Sequence, residues 1–255
     1  MTITRFILNI RRALIESVFP HNLTCHACDA ELPPSSQEIY CNDCFQQLLI
    51  IEGNVCSKCG KPIDQTYEQL LDYRFKCKEC QESFHYFRKH KSFALYEGSI
   101  KASLMKLKYK GEAYQAVQMG RNLVKLLQDE NFEASYDYIV PVPIHPIRKW
   151  QRGYNQSELI VNELKEAVGL KAPTILLRRI RHTKKLKAIG KEERKHILRD
   201  VFVLDRKYQN LVKGKKILLI DDIYTTGSTL NACAKVLYES GCEIIDCITV
   251  ARAVE

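Results

Sequence analysis

From about residue 90 the apolar positions fall into alternating strand and helix patterns. "KSFALYEG", from Lys91, reads as a strand, whereas Ile100 to Lys108 and Ala113 to Leu127 carry apolar residues at helical spacing. "YDYIVPVPI", from Tyr136, is a run fit for a buried strand, and Pro141 and Pro143 should end its ladder. Ser157 is placed to cap a helix whose inner face is Ile160, Leu164 and Val168, with Gly169 closing it. The strand "TILLR" follows, then "KILLI", a helix from about Ser228, and the strand "EIIDCITV". Strands alternating with helices predict an α/β class: a mostly parallel sheet with flanking helices on both faces.

The first 90 residues follow another logic. Ile3, Phe6, Ile7, Ile10 and Leu14 share one helical face, with Arg11 and Arg12 mostly opposite. That amphipathic stretch, residues 1–20, reads as a helix packed on its own protein or lying on a membrane surface. The arginines cut its apolar run short and no small-residue cleavage site follows, which argues against a signal peptide and places the chain in the cytoplasm. No apolar run in the chain reaches the roughly 20 residues of a membrane span.

Cysteine spacing then redraws the picture. Eight of the 11 cysteines form four CxxC pairs: Cys25/Cys28, Cys41/Cys44, Cys56/Cys59 and Cys77/Cys80. A CxxC turn points two thiolates at one metal, and two such knuckles complete a tetrahedron around zinc. Taken in order, the first four cysteines make one site and the second four another, a double zinc ribbon over residues 21–90; a cross-braced pairing is the alternative. With every ligand a cysteine, both zincs are expected to be structural, since no position is left open for water. His26 and His85 lie nearby but are not needed as ligands, and Cys233, Cys242 and Cys247 sit in apolar surroundings suited to a core.

Charge adds one feature. The net charge is +9, and Arg178 to Asp200 alone holds ten Lys or Arg against three Asp or Glu, so this segment carries +7. It is either a solvated basic loop or a loop for a polyanion, nucleic acid or diphosphate.

The stretch with the clearest chemistry is "KILLIDDIYTTGSTL", Lys216 to Leu230. A central strand ends in Asp221 and Asp222; the helix face Leu230, Cys233, Ala234 and Leu237 begins just beyond. Thr225, Thr226, Gly227, Ser228 and Thr229 therefore form the turn into a helix N-terminus, where backbone amides favour an anion and hydroxyls add donors. Gly227 lets the backbone come close. A phosphate fits that cradle; the two carboxylates would repel it and are better used nearby, accepting hydrogen bonds from adjacent hydroxyls. A ribose 5′-phosphate offers both groups at that spacing.

"LLIDDIYTTGST" resembles the phosphoribosyl-pyrophosphate (PRPP) loop of type I phosphoribosyltransferases. "FPHNLTCHACDAEL" with "YCNDC", then "LMKLKYKGEA" and "YIVPVPIHPIRKWQRGYNQSELI", are similar in order to the ComF family of late-competence proteins, over about Val18 to Ala251. The resemblance implies a phosphoribosyltransferase-like domain over residues 91–255. It implies that Asp221 and Asp222 hold ribose hydroxyls and that Thr225 to Thr229 bind the 5′-phosphate. The stretch from Val142 to Asn155 would approach the diphosphate, with charge from Arg148, Lys149 and Arg152, a tight turn at Gly153, and magnesium on the diphosphate. The basic segment corresponds to the loop such enzymes close over their substrate; there Thr183 and Arg194 match the family pattern, while Leu186 and Ile197 stand where many members have glutamine and asparagine. The family implies a role in natural transformation, with PRPP and imported single-stranded DNA as ligands and a competence helicase and a recombination mediator as partners. The donor site is legible, but no acceptor pocket or general base is, so transfer itself stays open. The alternative is a metabolic phosphoribosyltransferase with an unidentified acceptor and no DNA role.

Overall fold

The computed structural model describes residues 23–33, 38–63, 75–127, 132, 136–168, 176–181 and 200–254. The expected amphipathic helix at 1–20, Gly169, and the basic loop positions Thr183, Leu186, Arg194 and Ile197 lie outside these residues.

Four parallel strands form the central sheet. They are β1 (Lys89–Leu95), β2 (Tyr138–Pro141), β5 (Lys216–Tyr224) and β6 (Ile244–Arg252), in the order β1-β6-β5-β2. Ile220 sits opposite Ile248 and Asp221 opposite Thr249. Two short strands, β3 (Leu177–Arg179) and β4 (Phe202–Leu204), pair antiparallel in a separate hairpin that brackets the basic segment. The helices of the α/β unit are α3 (Gly98–Tyr109), α4 (Gln115–Leu127), α5 (Pro146–Arg152), α6 (Gln156–Val168) and α7 (Ser228–Glu239). Two one-turn helices, α1 (Asn42–Gln46) and α2 (Lys78–Glu82), each follow a ligand cysteine of the N-terminal region.

The central strands are apolar on both faces because helices or hairpin cover both. On β5, Leu218 and Ile220 join the core built with α3, α4 and α6, while Ile217 and Leu219 join the core built with α7 and the β3/β4 hairpin. All four are fully buried, each stabilising the fold by roughly 1.5–3 kcal/mol. Edge strand β2 ends at Pro141, where a missing donor costs no ladder bond.

One helix start differs from expectation. Ser157 does not cap α6; the Asn155 side-chain oxygen (Oδ1) accepts the Ser157 N–H (3.2 Å), and the Ser157 hydroxyl reaches Asp221 instead (3.0 Å). Asparagine is as good a cap as serine, which frees the hydroxyl for a contact 64 residues away in sequence.

The two cysteine tetrads are seated differently. The first makes a small cluster of its own with Ala27, Leu32 and Tyr40, docked on α3 and α4 by hydrogen bonds from Ser103 and Gln115 to the His26 carbonyl and by a Lys106–Asp29 ion pair. The second is part of the same core as Val140, Tyr224, Leu230 and Cys233. Gly60, at the end of the third knuckle, has φ +67°, and a Cβ there would come within 2.8 Å of the His90 carbonyl of β1. Cys233, Cys242 and Cys247 are buried core residues.

Candidate functional site

The cysteines converge as the spacing suggested. Cys25, Cys28, Cys41 and Cys44 form one group and Cys56, Cys59, Cys77 and Cys80 another, with all ligand atoms of each within 4.8 Å of one another. Cys28 and Cys41 sulfurs are 3.8 Å apart and Cys59 and Cys77 sulfurs 3.7 Å. Bonds of about 2.3 Å at tetrahedral angles put neighbouring sulfurs about 3.8 Å apart, so both groups suit zinc. Burial raises the Cys25 thiol, but N–H groups of Cys28, Cys41 and Ala27 outweigh it and bring it to about 6. Burial and the three neighbouring thiols push Cys44 up to about 12. A cation at the centre would offset the charge of four thiolates held this close. The two tetrads fit two structural zinc ribbons.

At the top of β5 the acidic pair is split by the strand. Successive strand residues face opposite sides, and the neighbours follow. Asp221 accepts from the Ser157 hydroxyl at 3.0 Å and from the Asp222 N–H at 2.9 Å, and feels the Arg179 guanidinium of β3. Asp222 pairs with Lys108 of α3 at 2.9 Å. Burial, then the Asp222 carboxylate, pushes Asp221 up to about 7; the Asp222 N–H, Lys108 and Ser157 only partly compensate. Hydroxyl donors from a ligand would stabilise the carboxylate and lower this pKa again.

Beyond the pair, the chain turns through Thr225 and Thr226 to Gly227, which takes φ +72° as the N-cap of α7 and makes no side-chain cap. The leading amides of α7 are left for an anion. Thr226 and Ser228 hydroxyls are 2.8 Å apart. Glycine is required here for a reason beyond access to a ligand. A Cβ on Gly227 would collide with the Tyr224 hydroxyl and lie 2.6 Å from its Cζ. The Tyr224 ring is itself fixed: His90 stacks on it with centroids 4.2 Å apart, and the Arg252 guanidinium lies 4.7 Å from its centroid. His90 Nδ1 donates to the Cys59 carbonyl at 2.8 Å, so its Nε2 accepts from the Thr249 hydroxyl at 3.1 Å. Arg252 donates to the same Cys59 carbonyl. A continuous set of contacts thus joins the second cysteine tetrad to the turn at Gly227.

The diphosphate candidates lie on α5. His145 caps it, Pro146 opens it, and it stops at Gly153. Arg148 is half-buried; burial and the nearby Arg152 charge lower its pKa. Arg152 donates to Gln156 and lies 5.6 Å from the Tyr109 ring, while Lys149 is drawn off to Glu158 at 2.6 Å. Arg179, buried against Phe202, couples to both Arg148 and Asp221. Lys108 and Arg179 were not singled out from sequence, and Ser157 only as a helix cap. Lys108 and Ser157 lie inside the motifs quoted above, whereas Arg179 had only its place in a basic run.

A parallel α/β sheet with a DD-x-x-TTGST turn at its carboxyl edge, joined to two cysteine tetrads, defines a phosphoribosyltransferase-type unit with a double zinc ribbon. The double zinc ribbon domain family matches residues 14–81 and the phosphoribosyl transferase domain family residues 160–255. Over most of its length the chain is similar to curated competence proteins. It is 26% identical over 222 residues to "Competence protein F" of Haemophilus influenzae, covering 84% of this chain and 96% of that one. It is 27% identical over 237 residues to "Competence protein ComFC" of Bacillus subtilis, covering 87% and 91%. "DNA utilization protein YhgH" of Escherichia coli is 24% identical over 204 residues, covering 79% and 85%. A solved structure titled as the allosteric regulatory enzyme of purine biosynthesis overlaps 56% of this chain and 29% of its own, with a TM-score of 0.37 and 18% identity. No described helix is long and apolar enough to cross a membrane.

Proposed function

We propose that this protein binds PRPP at the end of β5 and handles imported single-stranded DNA in the cytoplasm during natural transformation. The observation that carries the first half is the N-terminus of α7, opened by a left-handed glycine with no side-chain cap, one turn beyond a carboxyl raised to about 7. The α7 amides and the hydroxyls of Thr225, Thr226, Ser228 and Thr229 receive the 5′-phosphate. Asp221 and Asp222 accept from the ribose hydroxyls, and Arg148 and Arg152 face the diphosphate. Magnesium comes with the diphosphate, where it neutralises charge and touches the ribose. The second half is supported by relatives named as competence and DNA utilization proteins and by the +7 segment from Arg178 to Asp200. A competence helicase and a recombination mediator are the proposed protein partners.

The test is calorimetric titration of PRPP with magnesium into the parent and the double variant Asp221→Asn/Asp222→Asn, beside transformation of cells carrying each. Each charge-assisted bond contributes roughly 1.5–3 kcal/mol, so affinity should fall by at least about a hundred-fold in the double variant. A folded double variant that binds PRPP like the parent refutes the site. Lost binding with normal transformation would detach PRPP from the DNA role.

A further inference from the structure

Three consecutive residues close α3, and each reaches a different part of the proposed PRPP site. The Leu107 carbonyl accepts from the Tyr154 hydroxyl at 2.7 Å, which ties the helix end to the chain between α5 and α6. The Tyr109 ring centroid lies 5.6 Å from the Arg152 guanidinium, and Arg148 is within electrostatic reach of the same tyrosine. Between them Lys108 turns to β5 and pairs with Asp222 at 2.9 Å. Both side chains of that pair are largely buried, 17% and 12% exposed. The end of α3 therefore spans from the ribose acids to the diphosphate arginines, with the Lys108 ammonium on the ribose side.

We propose that Lys108 is a further diphosphate-binding residue, held ready by Asp222 until PRPP arrives. The inference rests on the PRPP reading above and adds a residue to it. In the empty protein Asp222 balances the ammonium, and a lysine so little exposed needs such a partner. The pairing leaves donors over. An ammonium has three N–H groups, and among the described residues Asp222 is its one ion-pair partner. Ribose hydroxyls that donate to Asp222 share that carboxylate with the ammonium and weaken its hold. The covalent structure of PRPP then supplies the second anion: the carbon that bears the diphosphate is bonded to a carbon that bears a hydroxyl. A side chain on the carboxylate that receives ribose hydroxyls is thus one swing of its stem from the diphosphate oxygens. Lysine has a flexible four-carbon stem for that swing, so α3 itself need not move. It would act as a point charge beside the planar guanidinium groups of α5. A lysine that only aimed Asp222 would serve the ribose and leave the diphosphate untouched, and the two roles are separable by ligand.

Calorimetric titration of the full-length, zinc-loaded protein with PRPP, inorganic pyrophosphate and ribose 5-phosphate, each with magnesium, tests the two ends of the ligand apart. Lys108→Gln keeps a donor for Asp222 and removes the charge. It should weaken pyrophosphate and PRPP binding by about tenfold or more, the scale of one charge-assisted hydrogen bond, and leave ribose 5-phosphate binding nearly unchanged. Lys108→Arg should keep most of the pyrophosphate affinity, because charge and donors remain. Loss of ribose 5-phosphate with pyrophosphate binding intact would make Lys108 a support for Asp222 and overturn the proposal. A Lys108→Gln variant with native circular dichroism that bound all three ligands like the parent would overturn it too. If Lys108→Gln does not fold, the parent decides. Pyrophosphate should shield Lys108 from acetylation by acetic anhydride, read by mass spectrometry, and ribose 5-phosphate should not; equal labelling with and without pyrophosphate would refute the contact. A parent that bound no PRPP would instead remove the PRPP reading, and this one with it.

Discussion

Removing the charge of Asp221 should make the ligand-free protein more stable. The folded-state pKa, about 7, lies above the ordinary carboxylate value of 3.8. Between those values the native chain binds more protons than the unfolded chain, so stability falls as pH rises from about 4 to about 7 and stays reduced above that. A shift of about three pH units sets a ceiling of about 4 kcal/mol. Asp221 is only partly buried, and solvent screening brings the realistic figure to about 1–3 kcal/mol. Asparagine keeps an oxygen for the Ser157 hydroxyl and the Asp222 N–H, so no bond need be lost. Asp221→Asn should therefore raise the melting temperature by about 2–8 °C near pH 8 and lose most of that advantage by about pH 4, where the Asp221 carboxyl of the folded chain is neutral. Asp222→Asn should do the reverse, because it strands the largely buried Lys108 ammonium, at a cost of about 1–3 kcal/mol. Melting curves with zinc held constant across this pH range are the assay. If Asp221→Asn, with native circular dichroism, melted at or below the parent near pH 8, burial would not be raising that carboxyl.

Metal analysis of protein purified without added zinc should find about two zinc ions per chain, and chelation should lower the melting temperature. Gly227→Ala should weaken PRPP binding by at least about tenfold and destabilise the fold by about 1 kcal/mol or more, since the new methyl must displace the Tyr224 ring and the φ is unsuited to alanine; titration and thermal melting read the two losses, and a variant matching the parent in both would mean the turn adapts. If four to six phosphates are neutralised, single-strand affinity should fall with salt on a log–log slope of about −3 to −4, and neutralising Lys184, Lys185 and Lys187 together should flatten it. A slope near zero would remove the electrostatic part of the DNA reading.

Much of this was legible because it was local. The apolar run Ile217 to Ile220 followed by a hydroxyl-rich turn can only be a strand delivered to a helix N-terminus, and four CxxC pairs can only serve a metal or redox chemistry. What was not legible depended on residues far apart in the chain. Ser157 looked like a cap because a cap is a local pattern; its use by Asp221 requires β5 and α6 to be placed side by side. The unequal settings of Asp221 and Asp222 arise from Lys108, Ser157 and Arg179, three residues from three other elements. Gly227 was read as room for a phosphate, and its collision with Tyr224 could not be inferred without knowing that His90 and Arg252 pin that ring.

That pinning changes how cysteine variants should be interpreted in genetics. Both clamps on Tyr224 hang from the carbonyl of Cys59, a ligand of the second tetrad. A cell carrying Cys59→Ser could lose transformation with its lesion felt at the Gly227 turn, and it would be scored as proof that the ribbon itself touches DNA. Substitutions in the first tetrad, which leans on α3 and α4 through Asp29, His26 and Tyr40, are the cleaner probe of what a ribbon does on its own account. Complementation by separately expressed halves should fail wherever the cut parts Cys59 from Arg252.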